Sequence, residues 1–440
     1  MNNYFNKLND RLFSALNSEE ILKTSMWGES SQFIRINNSK VRQTGIVDDL
    51  SFSLGLIFNK RQISQSLTIT GDFKTDTDKL LSILNNLKKD IVHLPEDPFI
   101  IYPSGSKSSE EKFKGELLPF ENAIDSLLPA MQGEDLTGLW ASGKIYTGVA
   151  NSVGQTHWFE TETFSLDYSL ITKDQKMVKD CFANTHWNQK EYDKYIESSK
   201  MKLDLMRNKS IKIDPGKYRT YIAPAGVSDI IDMFSWGGVS EASLQQKDSA
   251  FLKMRNENIK LSPCFTLQED FSSGMVPRFN DEGEIAPESL PLIIKGALEN
   301  TLVSTRSEKE YGVKTNYASE GEELRSPKVA LGALEEDKIL EKIDKGVYLS
   351  NLHYLNWSDR LGGRITGMTR YACFYVENGK IVAPIENMRF DDTIYNIFGE
   401  ELNSVTNFDQ LIPDVGTYDG RNLGGNHCPG ILLNNFSLTL

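Results

Sequence analysis

Histidine is scarce in this chain of 440 residues, with five in all: His93, His157, His186, His353 and His427. No His-Glu-x-x-His occurs, and a one-helix zinc peptidase site needs two histidines spaced to reach one ion. Cysteine is equally sparse. Cys181, Cys264, Cys373 and Cys428 never fall at a Cys-x-x-Cys spacing, which excludes a zinc knuckle and a thioredoxin-type pair. Reduced thiols in a cytosolic protein are the expectation. Positive charge is in deficit, since 48 Lys and Arg face 61 Asp and Glu, a net charge of −13. Neutralising phosphates needs the opposite balance, so neither nucleic acid nor an anionic membrane is an expected partner. No apolar run is long enough to cross a bilayer. Met1 to Leu16 also lacks the apolar core of a secretion signal. The expectation is a soluble, cytoplasmic protein that meets a protein, a peptide or a small molecule.

What is present suffices for real cores. Hydrophobic residues make up 39% and charged residues 25%, and the length suits about two or three domains. Tyr4, Phe5, Leu8, Leu12, Phe13 and Leu16 form a helical stripe. Ser18 followed by Glu19 and Glu20 reads as the cap of a second short helix. Strands then flank Asn37-Asn38 and Asn59-Lys60, two turn signals. Leu80, Leu84 and Leu87 return to helical spacing, and Pro95 to Lys112 reads as a polar loop. Glu121 to Met131 (helical) and the strand-like runs Leu139 to Val149 and Thr156 to Leu170 repeat the helix-plus-hairpin logic. Trp187 to Met206 reads as a long helix, and the polar stretch ending in Pro215-Gly216 marks a boundary. Beyond it, Tyr218 to Ala223 reads as strand and Gly226 to Phe234 as helix. Leu290 to Leu302 reads as a further helix with Pro291 in its first turn. Asn378-Gly379 is the strongest hairpin signal in the chain. The fold class expected is α+β, with an N-terminal α+β domain of helix-plus-hairpin units (1–210) and a sheet-rich C-terminal domain (211–440).

Several familiar sites can be set aside. Gly138 to Lys144 has the glycines and lysine of a phosphate loop, but Ile145 replaces the magnesium-binding hydroxyl and the flanks read as strand. Gly238-Val239-Ser240-Glu241-Ala242 looks like a nucleophile elbow without a partner histidine, so a surface turn is expected. His427-Cys428 is an isolated pair. The stretch from His353 to Asp359 differs, mixing hydrogen-bonding and aromatic groups on a strand, and Arg360 to Arg370 adds glycines, Thr366, Thr369 and arginines. Two readings stand: a polar sheet edge, or a groove in which His353, Asn356 and Arg370 contact a peptide or carboxylate.

At these residues the sequence resembles a known family. Leu352-His353-Tyr354 with Asn356 and Asp359, Thr366 to Arg370, Phe374 to Ile381 and Ile385 to Phe390 resemble the TldD/PmbA family, labelled modulators of DNA gyrase, which contains zinc metallopeptidases. Phe33 to Asn38, Asn151 to Gly154, Ser249 to Phe251, Asp281 to Gly283 and Cys428-Pro429-Gly430 match in the same order. In the TldD branch a helix carries His-Glu-x-x-x-His and a later cysteine completes the zinc shell. The resemblance places the corresponding helix near Asp232 to Gly237. Asp232 and Gly237 stand near the histidine positions and Met233 near the glutamate base, while Cys428 remains. This implies the PmbA (TldE) branch, which lacks the zinc motif.

The resemblance implies a non-catalytic, peptide-binding subunit of a zinc metallopeptidase complex involved in proteolysis or peptide maturation. No cofactor is expected in this chain, with zinc only in a TldD-type partner; the assembly would be a dimer with that partner or with itself. His353, Tyr354, Asn356, Thr369 and Arg370 are the candidate peptide contacts. An autonomous hydrolase using a zinc-independent polar groove, or a regulatory scaffold, are the competing readings.

Overall fold

The computed structural model describes every residue except 106 and 419. Its first sheet is shaped by two tight turns, Asn38-Ser39 and Asn59-Lys60, whose residues all have positive φ. That conformation matches the twist of two-residue hairpins. The turns join β1 (Ile21–Asn37), β2 (Lys40–Phe58) and β3 (Arg61–Thr68) into an antiparallel meander. Helix α1 (Asn2–Phe13) buries Phe5, Leu8 and Leu12 against it, and α2 (Phe73–Asp90) adds Leu80, Leu84 and Leu87. Asp72 caps α2 by accepting from the Thr75 N–H at 2.9 Å.

After β4 (Ser108–Phe113) the same plan recurs. Helix α3 (Ala123–Met131) precedes β5 (Asp135–Asn151), β6 (Thr156–Ile171) and β7 (Met177–Asn184), and α4 (Gln189–Met206) follows. β1 and β5 pair antiparallel at the centre, with β2 and β3 running outward on one side and β6, β4 and β7 on the other. β6 shares its outer edge between β4 and β7. The helix-plus-hairpin repetition is therefore a spatial one.

The second sheet has 13 strands. β8 (Gly216–Ile222) leads into α5 (Pro224–Ser235), followed by the short helices α6 (Glu241–Gln245) and α7 (Leu252–Glu257). β9 (Leu267–Asp270), β10 (Ser289–Ile294) and β11 (Ala297–Leu298) form one flank. Helix α8 (Thr305–Tyr311), β12 (Pro327–Val329), α9 (Ile339–Ile343) and β13 (Gly346–Leu349) come next. Then follow β14 (Asn351–Asp359), β15 (Arg364–Arg370), β16 (Phe374–Glu377) and β17 (Lys380–Pro384). β18 (Arg389–Thr393), β19 (Leu402–Pro413) and β20 (Gly425–Leu438) close the chain. β20 is the hub, pairing with β8, β12, β18 and β19, and α5 packs on β20 and β14. With helices on two largely antiparallel sheets, the fold is α+β.

Four local expectations are corrected. Ser108 to Lys112, expected inside a polar loop, belong to β4 and pair in parallel with β6. Ser18 to Glu20 form no helix: Glu20 accepts from the Asn17 N–H at 2.8 Å and pairs with Lys88 at 2.6 Å, and β1 starts at the next residue. Leu290 to Leu302 is no helix but β10 and β11, turned at Lys295-Gly296, both at positive φ. A continuous apolar run is compatible with either element, and burial of Leu292 and Ile293 in the sheet core decided it. Ser240 is no surface residue; it is buried and caps α6, accepting from the Ser243 N–H at 3.1 Å.

Candidate functional site

Helix α5 carries the features that matter most. Pro224 stands at its first position, and Val227, Ile230, Ile231 and Phe234 fill the core. Asp229 and Asp232, one turn apart, interrupt this apolar helix and face a cleft of about 490 Å³ between the two sheets. β6 and β7 supply one wall with Asp167, Lys179, Asp180 and Cys181. The opposite wall is built from α5, the segment before β12, Asn351 of β14, and the ends of β19 and β20. A larger cavity of about 640 Å³, between α1 and β4, holds none of the candidate site residues.

The segment between β19 and β20 is fastened to the first sheet by Arg421, which is 5% exposed. Its guanidinium donates to the Ser31 hydroxyl at 3.2 Å, the Gly143 carbonyl at 3.3 Å, and the Thr163 carbonyl and hydroxyl at 3.1 and 2.6 Å. Burial pulls its pKa down to about 10, against the opposing pull of Glu29. Asp414 and Asn426, at the two ends of this segment, are thereby held over α5. Asn426 donates to Asp232 at 2.6 Å and to the Ser228 hydroxyl at 2.8 Å.

The carboxylates respond to this enclosure. Burial pushes Asp229 up to about 7; the Leu352 N–H, donating at 3.1 Å, opposes the shift and Asp232 adds to it. Asp232 is open to cleft water yet surrounded by protein, and loss of bulk hydration raises it as well. The Asn426 hydrogen bond works against that rise, and Asp414 adds to it. Cys428 is fully buried, and burial, then Asp232, Asp409 and Asp229, hold its thiol well above the ordinary range.

The positions implied for a zinc motif separate in space. Asp232 and Cys428 come together, but Met233 is buried in the core and Gly237 lies beyond the helix end at φ +86°. Neighbouring strand residues face opposite sides, so His427 turns away from Cys428, its Nδ1 3.7 Å from Asp409. Among the described residues no group of three or more His, Cys, Asp or Glu is arranged to hold a metal ion. With no imidazole among them and Cys428 sealed from the cleft, these donors do not make the zinc shell of the TldD branch.

The candidate peptide contacts gather on the hairpin β14–β15. His353 lies opposite Met368, Asn356 opposite Thr366, and Arg370 opposite Asn351. Burial, then Arg370, lower the His353 pKa, and Arg370 stacks 5.3 Å from the Tyr371 ring centroid. Tyr354 sits at a register shift with φ +58° and is 82% exposed. Thr369 is buried, its hydroxyl accepting from the Met388 N–H at 2.9 Å. None of the five lines the cleft, whereas Asn351, at the base of their hairpin, does. Asp229, Asn351, Asp414 and Asn426 were missed by sequence reasoning. Only Asp229 left a local signal, an acid set among apolar helix positions.

The profile of the PmbA/TldA metallopeptidase C-terminal domain matches residues 215–440, half of the chain. The chain belongs to the PmbA/TldD family. Among solved structures it is similar to a protein from Bacteroides thetaiotaomicron labelled a modulator of DNA gyrase. Identity is 16% over 99% of this chain and 98% of that one, with a TM-score of 0.78. TldE from Thermococcus kodakarensis is 14% identical, covered over 99% and 100%, with a TM-score of 0.77. A protein from Thermotoga maritima, also labelled a modulator of a DNA gyrase, gives 14%, the same coverage and 0.76. At these identities the likeness establishes the fold of the whole chain. No sequence among curated proteins matches significantly.

Proposed function

We propose that this PmbA/TldD-family chain is the non-catalytic, peptide-binding subunit of a zinc metallopeptidase complex. The observation that carries the reading is the α5 cleft. Where the TldD branch is expected to hold zinc, this chain offers Asp229 and Asp232 to an open space between two sheets, with Cys428 buried behind them as a protonated thiol. An extended peptide lies in that space and continues over the hairpin beyond the cleft, where His353, Tyr354, Asn356 and Arg370 are accessible and Thr369 is buried beneath them. A TldD-type partner supplies the zinc and the hydrolytic water, and peptide cleavage or maturation is the output. A dimer in a reducing cytoplasm suits the family and the four free thiols. Residues 1–210 and 211–440 act as the two units whose seam is the cleft.

Co-expression with a TldD-type protein carrying His-Glu-x-x-x-His tests the reading. The two chains should co-purify, and the pair should cleave peptide in a chelator-sensitive way that this chain alone does not show. Cleavage by the isolated chain in the presence of chelator would replace the reading with an autonomous hydrolase. Association that leaves peptide affinity and cleavage unchanged would replace it with a scaffold.

A further inference from the structure

Every positive charge lining the cleft is already engaged. Lys179 is paired with Asp167. Arg325 is largely buried and donates to the carbonyls of Pro277, Arg278 and Phe279 at 3.0 to 3.3 Å, with its guanidinium 4.8 Å from the Phe271 ring centroid. The acids are not balanced in return. Asp180 has Lys202 at 3.4 Å, but Asp229, Asp232 and Asp414 have no cationic partner among the described residues.

A second feature of the cleft points to what accompanies the missing charge. Asn351 and Asn426 line it while only 9% and 7% exposed. Asn426 spends both N–H groups on Ser228 and Asp232, leaving its Oδ1 as a free acceptor. Asn351 accepts from the Ser350 hydroxyl at 2.8 Å, leaving its Nδ2 as a free donor. Neither free end is sealed from the cleft. Buried amides are ordinarily satisfied, so one open donor and one open acceptor suit the N–H and C=O of a peptide unit.

We infer that the cleft selects a peptide bearing a cationic group, seated against Asp232, Asp229 and Asp414 with its neighbouring amide held by Asn351 and Asn426. This rests on the peptide-binding reading above and adds the substrate class. The cation is the ammonium or guanidinium of a basic side chain or of a free amino terminus; both present the same chemistry to a carboxylate. The raised pKa values of Asp229 and Asp232 fit carboxylates that lack a counter-ion, and a bound cation would lower that of Asp229 and release protons.

Calorimetric titration of the full chain near neutral pH tests this with peptides differing only at a central lysine, norleucine or glutamate. Each is made with a free and with an acetylated amino terminus. The lysine peptide, or a free-amine peptide if the terminus is the source, should bind about tenfold or more tighter than its uncharged counterpart. Its binding should release protons, read from the dependence of the heat on buffer. Asp232→Asn should abolish the preference for the charged peptide over its uncharged counterpart. A thermal midpoint and far-UV spectrum like the parent's report that the variant is folded, and a folded variant that keeps the preference overturns the inference. Equal affinity for all peptides overturns the inference and leaves the peptide reading standing. Binding of none overturns the peptide reading itself.

Discussion

Around the short helices α6 and α8 the chain buries acids that have all the partners they need, whereas on α5 it encloses acids that do not. Glu322 is 1% exposed and accepts from the Ser240 hydroxyl, the Ala242 N–H and the Ser304 N–H, each at 2.8 Å. Glu241 is likewise buried and accepts from Arg255 at 2.8 Å, Thr301 at 2.5 Å and Gln245 at 2.7 Å. Burial pushes Glu241 up, but these donors outweigh it and hold it below the ordinary carboxylate range. Asp229 has one backbone donor and a like charge beside it, and its pKa goes the other way. Burial alone therefore says little about an acid's role; what distinguishes them is whether the protein completes its hydrogen bonds. Saturated acids hold elements in place, and unsaturated ones are left for a ligand.

The largest effect that sharpens this contrast is expected at Glu322. Glu322→Ala strands three buried donors, two of them backbone N–H groups at helix starts, and should cost about 3 kcal/mol or more. A lowered denaturant midpoint at unchanged slope is the readout. A midpoint within error of the parent would break the comparison at its structural end.

Asp229 should behave in the opposite sense. Its folded pKa of about 7 lies above the unfolded value, so the folded state binds the extra proton between about pH 4 and 7. Stability is therefore fullest at low pH and falls as pH rises through that window. Asp229→Asn should remove this loss, raising stability above pH 7 by about 1–3 kcal/mol and flattening the slope. Glu269, also raised to about 7 by burial, keeps part of the slope in either protein. An unchanged profile would show that Asp229 is paired after all.

A control outside both regions comes next. Asn378-Gly379 closes β16–β17 with φ of +52° and +68°. A Cβ at Gly379 would lie 3.4 Å from the Glu341 Cα, so space is tolerable and the strain is in the backbone. Gly379→Val should lower stability by about 1–2 kcal/mol and leave peptide affinity alone. An unchanged thermal midpoint would contradict it. The smallest effect on stability is expected at Arg370, half-buried and stacked on Tyr371. Arg370→Ala should change stability by about 0.5 kcal/mol or less while weakening peptide binding or the activity of the complex. A large fall in midpoint with unchanged affinity would make Arg370 a structural residue.

Much of the fold was legible because its signals are local. Asn59-Lys60 and Asn378-Gly379 each sit between strand-like runs, and α2 and α4 show caps and apolar spacing within one window. The failures share a cause. Leu290 to Leu302 has apolar residues without a deciding period, and neighbours elsewhere in the chain made it a strand pair. Ser108 to Phe113 is polar enough to read as loop, yet it pairs in parallel with β6. At the site, Asp232 and Cys428 were found through the family resemblance, and the structure brings them together. Met233 was assigned to the same motif, but helix geometry turns its side chain into the core.

Local residue pattern accounts for the alternation that builds both sheets, the turns that set their register, and the absence of histidine from α5. Each of these depends on residues a few positions apart, where backbone sterics and side-chain period act directly. Long-range packing, by contrast, makes Asn426 meet Asp232 across 194 positions and Leu352 meet Asp229 across 123. Nor could it be read locally that Arg421 would reach 390 positions back to Ser31 and hold the cleft wall against the first sheet. The physical reason is that a buried polar group is stable only where partners converge on it. That convergence is a property of packed sheets and helices, and no short stretch of chain contains it.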